Sequence, residues 1–274
     1  MTNILEKINE TVHYLRQRGV QQPTVAIVLG TGLSAMVDTL ANAITIPYKN
    51  IPNFPEATVE FHKGNIVYGN IGDKNVLLMQ GRFHYYEGYS MQQITFPVRV
   101  MKALGVNYLL LSNAAGGMNA AFKKGDLVVI TDHINQQPEN PLRGLNDLVF
   151  GNRFVDMCWP YNTELNNQLL LTAKHLAIPI HQGVYVAVAG PNLETRAEYK
   201  YLRNMGADMV GMSTVPEVIV ANHIGLPCAA VSVITDECDP DNLQPVNITE
   251  IIAVAGKADK TLSSLFENMI RQLS

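Results

Sequence analysis

The sequence predicts an α/β protein that folds as one domain. Short continuous apolar runs, such as residues 24–29 and 228–234, are typical of buried parallel strands. Between these runs, apolar residues recur at the spacing of amphipathic helices. No linker, repeat or low-complexity segment interrupts the 274 residues, and 47% of them are hydrophobic, which is enough to bury one large core. We therefore expect residues 1–274 to form a single domain whose polar clusters lie at the ends of strands.

The composition excludes several classes of function. The formal net charge is -4 and only 16% of the residues are charged, without a basic run, so no nucleic-acid partner is expected. No apolar run approaches the ~20 residues that span a bilayer. The first ten residues contain acids in an amphipathic pattern, which predicts a helix and not a signal peptide. Three cysteines without CxxC spacing indicate reduced thiols in a cytoplasmic protein. HExxH and GxSxG motifs are absent, so we predict neither a metal site nor a serine nucleophile.

A glycine-rich turn follows the first predicted strand. It lies between a helix predicted to end at Gly19 and another predicted over residues 33–40. In Gly30-Thr31-Gly32 the bare N–H groups and the Thr31 hydroxyl face one point, which is typical of a phosphate cradle. The turn also fits the relaxed dinucleotide fingerprint GxGxxA, but Asn50 stands where that fingerprint requires an acid. A nicotinamide-dependent dehydrogenase therefore remains only as an alternative.

The next polar cluster follows a hairpin predicted from residues 65–71 and 76–80. Arg82 at its exit is suited to hold a tetrahedral oxyanion bidentately. His84, two residues on, faces the same side of an extended chain, and Glu87 can orient its imidazole. The alternative is a surface strand end with incidental polar residues.

Small residues end the following strand. After a helix predicted over residues 91–104, residues 108–112 form a strand that ends in the small residues 113–117. Small side chains allow the backbone to approach a flat ligand or a phosphate closely. The remaining elements are predicted to be strands over 127–131, 184–188, 208–212 and 228–234, and helices over 165–176, 195–206, 214–225 and 251–273. Four histidines are predicted to be surface residues, namely His13, His175, His181 and His223.

Two joints between these later elements carry residues suited to a two-part substrate. Glu194 lies in a loop just before Thr195, which has the spacing of a capping box with Glu198. Ser213 lies between a strand and a helix N-terminus, where backbone N–H groups favour an anion. The alternative is that Glu194 is a solvated loop acid and Ser213 only a neighbour of the helix cap.

Six sequence blocks, in order, resemble those of the purine nucleoside phosphorylases of the trimeric, 6-oxopurine-preferring class. The blocks are LGTGLS, GRFHYYEGYS, SNAAGGMN, GDLVVITDHIN, VAGPNLET and GADMVGMSTVPEVIVA, and the similarity runs from about residue 25 to residue 256. The resemblance implies an α/β fold whose mixed β-sheet is partly closed into a barrel with surrounding helices. It implies a homotrimer that cleaves purine ribonucleosides or deoxyribonucleosides, with inorganic phosphate as co-substrate and no cofactor. Inosine and guanosine are the expected substrates.

The resemblance also implies roles for individual residues. The implied phosphate ligands are Thr31, His62, Arg82, His84, Ala114 and Ser213. The implied nucleoside-binding residues are Tyr86, Ala115, Gly116, Phe154, Tyr185, Leu193, Glu194, Val210, Met212 and Asp236, with Phe154 reaching into a neighbouring subunit. The implied catalytic residues are His84, Glu194 and Asp236, of which the two carboxylates stabilise the departing base by hydrogen bonding or proton delivery.

The chain departs from the family pattern at the base and at the ribose. Asp236 stands where 6-oxopurine enzymes have Asn, and no His stands at residues 247–249, where the family has one near the ribose 5′-hydroxyl. These departures keep a methylthioadenosine or adenosine phosphorylase open as an alternative, together with a non-catalytic nucleoside-binding protein on the same scaffold. If burial beside Glu194 protonates Asp236, that residue becomes a donor to a 6-oxo group.

Overall fold

The computed structural model describes residues 4–31, 33–59, 63–144 and 149–273. In these ranges a nine-stranded mixed sheet is surrounded by six α-helices. The strands are β1 (Val25–Val28), β2 (Ala41–Pro47), β3 (Asn65–Ile71), β4 (Lys74–Gln80), β5 (Tyr108–Gly117), β6 (Leu127–Asn135), β7 (Ile180–Ala187), β8 (Met209–Gly211) and β9 (Cys228–Glu237). The helices are α1 (Ile4–Gln17), α2 (Met91–Leu104), α3 (Thr163–His175), α4 (Arg196–Asn204), α5 (Val215–His223) and α6 (Ile248–Ile270). No helix in these ranges is long and apolar enough to cross a membrane.

Part of the sheet closes on itself. The strand order is β2-β3-β4-β1-β5-β8-β7-β6-β9, and β9 pairs again with β5. Strands β5, β8, β7, β6 and β9 therefore form a closed barrel, while β2, β3, β4 and β1 extend from it as an open sheet. This confirms the predicted α/β class and the mixed sheet partly closed into a barrel.

The apolar residues of β1 divide between the two larger clusters of the core. Ala26 and Val28 of β1 face a cluster that contains apolar residues of α1, α2 and α5. Val25 and Ile27 face the opposite cluster, with apolar residues of α3 and α6. All four residues of β1 are buried, which explains why this strand is a continuous apolar run.

The N-terminal edge of the sheet differs from the prediction. Residues 33–40 were predicted to be a helix, but only Ala35–Thr39 are helical, and as a short 3-10 segment. Strand β2 was missed because it is an exposed, irregular edge strand, with a register shift between Ala41 and Ile44, and lacks a clear apolar alternation.

Several strands are longer than predicted, among them β5 and β6, and one histidine is more buried. β5 continues through the small residues to Gly117, and β6 continues to Asn135, because both find hydrogen-bonding partners in the barrel. Local sequence does not contain that information. His223 was predicted to be a surface residue but is buried at the end of α5, where burial lowers its pKa.

Candidate active site

A cavity of about 340 Å³ opens at the carboxyl ends of several strands. Strands β4, β1, β5 and β9 are successive parallel neighbours, so the residues that follow them meet at one edge of the sheet. The residues assigned to the site from sequence that line this cavity are Thr31, Arg82, His84, Tyr86, Ala114, Ala115, Gly116, Leu193, Glu194, Val210, Met212, Ser213 and Asp236. His62 lies outside the described residues.

Arg82 is a buried cation at one end of the cavity, with 2% of its surface exposed. Its Nη2 donates to the carbonyl oxygens of Val28 at 3.1 Å and Ser112 at 2.5 Å. Its Nη1 donates to the hydroxyls of Ser213 and Thr214, both at 2.9 Å. Both terminal amino groups of Arg82 therefore donate hydrogen bonds within the protein. The charge of Arg82 acts on the cavity largely through the Ser213 hydroxyl, to which it donates.

His84 is oriented by a carboxylate, as predicted from its spacing to Glu87. Its Nδ1 lies 2.8 Å from Glu87 Oε1, which also accepts from the His84 backbone N–H at 2.7 Å. Burial opposes the ionisation of Glu87, but hydrogen bonds from His84 and Thr58 outweigh it and lower the pKa of Glu87 to about 2. The imidazole stacks on Tyr86, with ring centroids 4.7 Å apart. An ionised Glu87 favours a proton on Nδ1 and fixes the plane of the ring.

The glycine-rich turn after β1 is held by a residue far away in sequence. Asp259 of α6, which is 5% exposed, accepts from the backbone N–H groups of Ser34 and Ala35, both at 2.6 Å. Gly30 packs so closely on β5 that a Cβ would lie 2.7 Å from the Asn113 Cα. The turn is thus fixed on both sides, although sequence spacing indicated neither contact.

Replacing Asp259 by alanine is expected to lower stability and to raise the KM for phosphate. Two partly buried N–H groups lose their acceptor, at a cost of up to about 1–3 kcal/mol each when left unsatisfied. Denaturant unfolding and phosphate kinetics measure the two effects. Asp259→Asn keeps an oxygen acceptor and is expected to lose less on both, so an asparagine variant as impaired as the alanine variant would contradict this role.

Two carboxylates, Glu194 and Asp236, also line the cavity. Burial raises the pKa of Glu194, a hydrogen bond from Tyr199 opposes this rise, and the charge of Asp236 adds to it. Asp236 Oδ1 accepts from the Thr235 hydroxyl at 2.9 Å, and its Oδ2 accepts from the Cys238 thiol at 3.0 Å. Both carboxyl oxygens of Asp236 therefore accept hydrogen bonds from neighbouring side chains. The carboxyl whose pKa is raised is Glu194.

Two residues assigned to the nucleoside site do not line the cavity. Tyr185 is fully buried, and its hydroxyl accepts from the Ser213 backbone N–H at 3.3 Å, so it supports the floor beneath Gly211 rather than facing a ligand. Phe154 lies away from the cavity with 89% of its surface exposed. The burial of Tyr185 corrects its assignment as a residue that contacts the nucleoside directly.

Sequence reasoning missed several residues of the site. Asn113 and Tyr199 line the cavity, as do three isoleucines of α6, Ile248, Ile251 and Ile252. Thr214 lies directly behind Ser213 and is fully buried. Ile248 lies in the stretch 247–249 that the resemblance places near the ribose 5′-hydroxyl. Ile251 and Ile252 carry no motif and reach the cavity only through the tertiary fold, so no local pattern could have assigned them.

Comparisons with known proteins agree on one family. The model of the phosphorylase superfamily matches residues 24–271. Purine nucleoside phosphorylase 1 of Bacillus subtilis is 46% identical over 267 residues, which cover 97% of this chain and 98% of that protein. The crystal structure of a Schistosoma purine nucleoside phosphorylase in complex with hypoxanthine has a TM-score of 0.94 and 39% identity, and the match covers 100% of both chains. The crystal structure of Schistosoma mansoni purine nucleoside phosphorylase in complex with inosine has a TM-score of 0.92 and 39% identity, and the match covers 98% of this chain and 97% of that chain.

Proposed function

The chain belongs to the phosphorylase superfamily, among its purine nucleoside phosphorylases, and from this we propose how its cavity carries out the reaction. The protein is an enzyme that cleaves purine nucleosides with phosphate, giving the free purine and a pentose 1-phosphate. Inosine and guanosine are its main substrates. The dehydrogenase, methylthioadenosine phosphorylase and non-catalytic alternatives are not favoured.

The observation that carries the proposal is the polarity of the cavity. The lining residues fall into two groups: Arg82, hydrogen-bonded to Ser213, with His84, and the carboxyl groups of Glu194 and Asp236, whose charges interact. We take the first group as the cationic end of the site and the second as its carboxylate end. A cationic and hydroxylic end suits an anionic nucleophile, and a carboxylate end suits the N–H groups of a purine. The sugar would lie between them, beside Tyr86 and Met212.

The cationic end would bind and orient phosphate through the turn at Thr31, the Ala114 backbone and the groups around Arg82. Cleavage of the glycosidic C–N bond passes through a ribosyl centre with cationic character. A phosphate held on the opposite side of that centre from the base stabilises this charge and then forms the new C–O bond. The proposed mechanism uses these side chains and inorganic phosphate, with no cofactor.

The carboxylate end would stabilise the departing purine. We place Glu194 against the N1–H of a 6-oxopurine, which the ionised carboxylate accepts, and Asp236 against N7 and the 6-substituent. As the C–N bond breaks, the bonding electron pair moves to N9 of the base, and a proton taken up from solvent water at N7 neutralises the charge. The resulting N7–H is then a donor to Asp236.

Base release is expected to require inorganic phosphate. Incubation of inosine with the enzyme should yield hypoxanthine and ribose 1-phosphate in equal amounts, and the rate should saturate with phosphate concentration. The same assay with guanosine, adenosine and methylthioadenosine compares their rates of cleavage with that of inosine. Cleavage of inosine at the same rate in phosphate-free buffer would instead identify a hydrolase.

We propose a homotrimer in which Phe154 completes the nucleoside site of a neighbouring subunit. An aromatic side chain that is 89% exposed is unfavourable in a free monomer, and Trp159, five residues on, is 78% exposed. A partner surface would remove both from water.

The free cysteines Cys158, Cys228 and Cys238 support placement of the enzyme in the reducing cytoplasm.

Phe154→Ala is expected to raise the nucleoside KM without changing the KM for phosphate. Loss of a buried apolar side chain costs about 1.5–3 kcal/mol, or roughly ten- to hundred-fold in affinity. Leu171→Ala, which removes another exposed apolar side chain on α3, serves as the control. Sedimentation of the wild type as a fully active monomer would contradict the proposal.

A further inference from the structure

We propose that Thr214 and Asn113 are positioning residues that hold the Ser213 hydroxyl as a hydrogen-bond donor directed at phosphate. Ser213 lines the cavity, whereas Thr214 is fully buried behind it and does not line the cavity. The inference rests on the proposed phosphorolysis, which supplies the anion. In this network the Ser213 hydroxyl is oriented as a donor before phosphate binds.

The direction of the network begins at Thr214. Its Oγ1 lies 2.9 Å from Arg82 Nη1 and 2.9 Å from Asn113 Nδ2. Both nitrogens are donors that cannot accept, so they occupy the two lone pairs of the hydroxyl oxygen. The single proton of Thr214 must therefore be donated elsewhere. Ser213 Oγ, 3.2 Å away, is the acceptor that the local geometry provides.

The Ser213 hydroxyl also has both of its lone pairs occupied by donors. Its Oγ accepts from Arg82 Nη1 at 2.9 Å and from the Thr214 hydroxyl. Both of its lone pairs are used, so its own proton can only be donated. The Tyr185 hydroxyl also hydrogen-bonds the Ser213 side chain, but an anionic phosphate oxygen in the cavity is the stronger acceptor for that proton. A hydroxyl in this state donates but does not accept, so it favours a ligand oxygen that carries no proton. The unprotonated oxygens of phosphate meet this requirement.

The backbone supports a functional role for Thr214. Its φ of 71° and ψ of -52° place a β-branched residue in the left-handed half of the map. The Val215 N–H donates to the Ser213 carbonyl at 2.8 Å, which closes a tight γ-turn across Thr214. Such strain persists when surrounding contacts over-determine it. The two donors on the Thr214 hydroxyl, together with its burial, provide those contacts.

The test compares Thr214→Val with Thr214→Ser. Valine keeps the branched shape and removes the hydroxyl, whereas serine keeps the hydroxyl. We expect Thr214→Val to weaken binding of inorganic phosphate, measured by calorimetry, about ten- to hundred-fold. Thr214→Ser should retain most of the affinity, and hypoxanthine affinity should be unchanged in both. If valine does not fold there, Thr214→Gly accepts the positive φ without strain and is expected to lose the same phosphate affinity.

A double-mutant cycle separates the relay from a general structural effect. Ser213→Ala removes the donor, so Thr214→Val in that background should weaken phosphate binding by no more than about two-fold further. The inference would be overturned if the two losses of phosphate affinity multiplied in the double variant. It would also be overturned if Thr214→Val bound phosphate like the wild type. Failure of the proposed function is distinct, since the wild type itself would then cleave inosine without phosphate.

Discussion

Arg82→Ala is expected to lower the affinity for phosphate at least ten- to hundred-fold while purine affinity changes little. A charge-assisted contact contributes about 1.5–3 kcal/mol. The substitution also leaves the Ser213 and Thr214 hydroxyls without their shared donor. Calorimetric titration with phosphate, and separately with hypoxanthine, measures the two affinities. Unchanged phosphate binding would place Arg82 outside the phosphate site.

The burial of Arg82 determines the controls for this variant. Glu217 Oε1 lies 3.7 Å from Arg82 Nη1, and its side chain is 4% exposed, so alanine leaves a buried carboxylate without its cation. Breaking such a pair costs about 3–5 kcal/mol of stability. Arg82→Ala with Glu217→Gln removes that charge and should regain stability but not phosphate affinity. Arg99→Ala, which removes a buried arginine that does not line the cavity, tests whether any such loss impairs phosphate binding.

Asp236→Asn is expected to lower the ratio of adenosine to inosine activity by about ten- to hundred-fold, the size of one hydrogen bond to a charged group. Ionised Asp only accepts, so it suits the 6-amino group of adenine and repels a 6-oxo group, whereas Asn can donate to O6 and accept from N7–H. The kcat/KM values for both nucleosides give the ratio. Glu237→Gln neutralises the adjacent exposed carboxylate and should leave the ratio unchanged. If Asp236→Asn leaves the ratio unmoved, the assignment of Asp236 to the 6-substituent is wrong.

The raised pKa of Glu194 adds a pH dependence to this selectivity. The carboxyl becomes protonated as pH falls through a value above its ordinary 4.5, because burial disfavours the charged form. A protonated Glu194 accepts N1–H from inosine only through its neutral carbonyl oxygen, which is a weaker contact, and can donate its own proton to the bare N1 of adenosine. The adenosine-to-inosine ratio should therefore rise as pH falls through that value. Glu194→Gln should show a raised ratio without this pH step, and a glutamine variant with the wild-type profile would contradict the assignment.

Local sequence was sufficient for the features that depend on neighbouring residues. The capping box of Thr195 and Glu198, the apolar run of β1 and the contact of His84 with Glu87 are all present as predicted. Each depends on spacing within a few residues, where the chain itself determines which groups can meet. The six ordered blocks went further and indicated the family, which the comparisons confirm.

The tertiary structure decided which distant residues meet, and in which hydrogen-bonding state. Arg82 and Thr214 are 132 positions apart, and Asp259 caps a turn 225 positions before it at Ser34. No local pattern encodes such pairs, because parallel strands bring together segments whose order in sequence is unrelated to their distance. The direction of each hydroxyl proton follows only once all donors around it are known. The sequence thus determined the fold family and the kinds of groups in the site, while the packing of strand ends decided that Glu194 carries the raised pKa and that Ser213 is the donor.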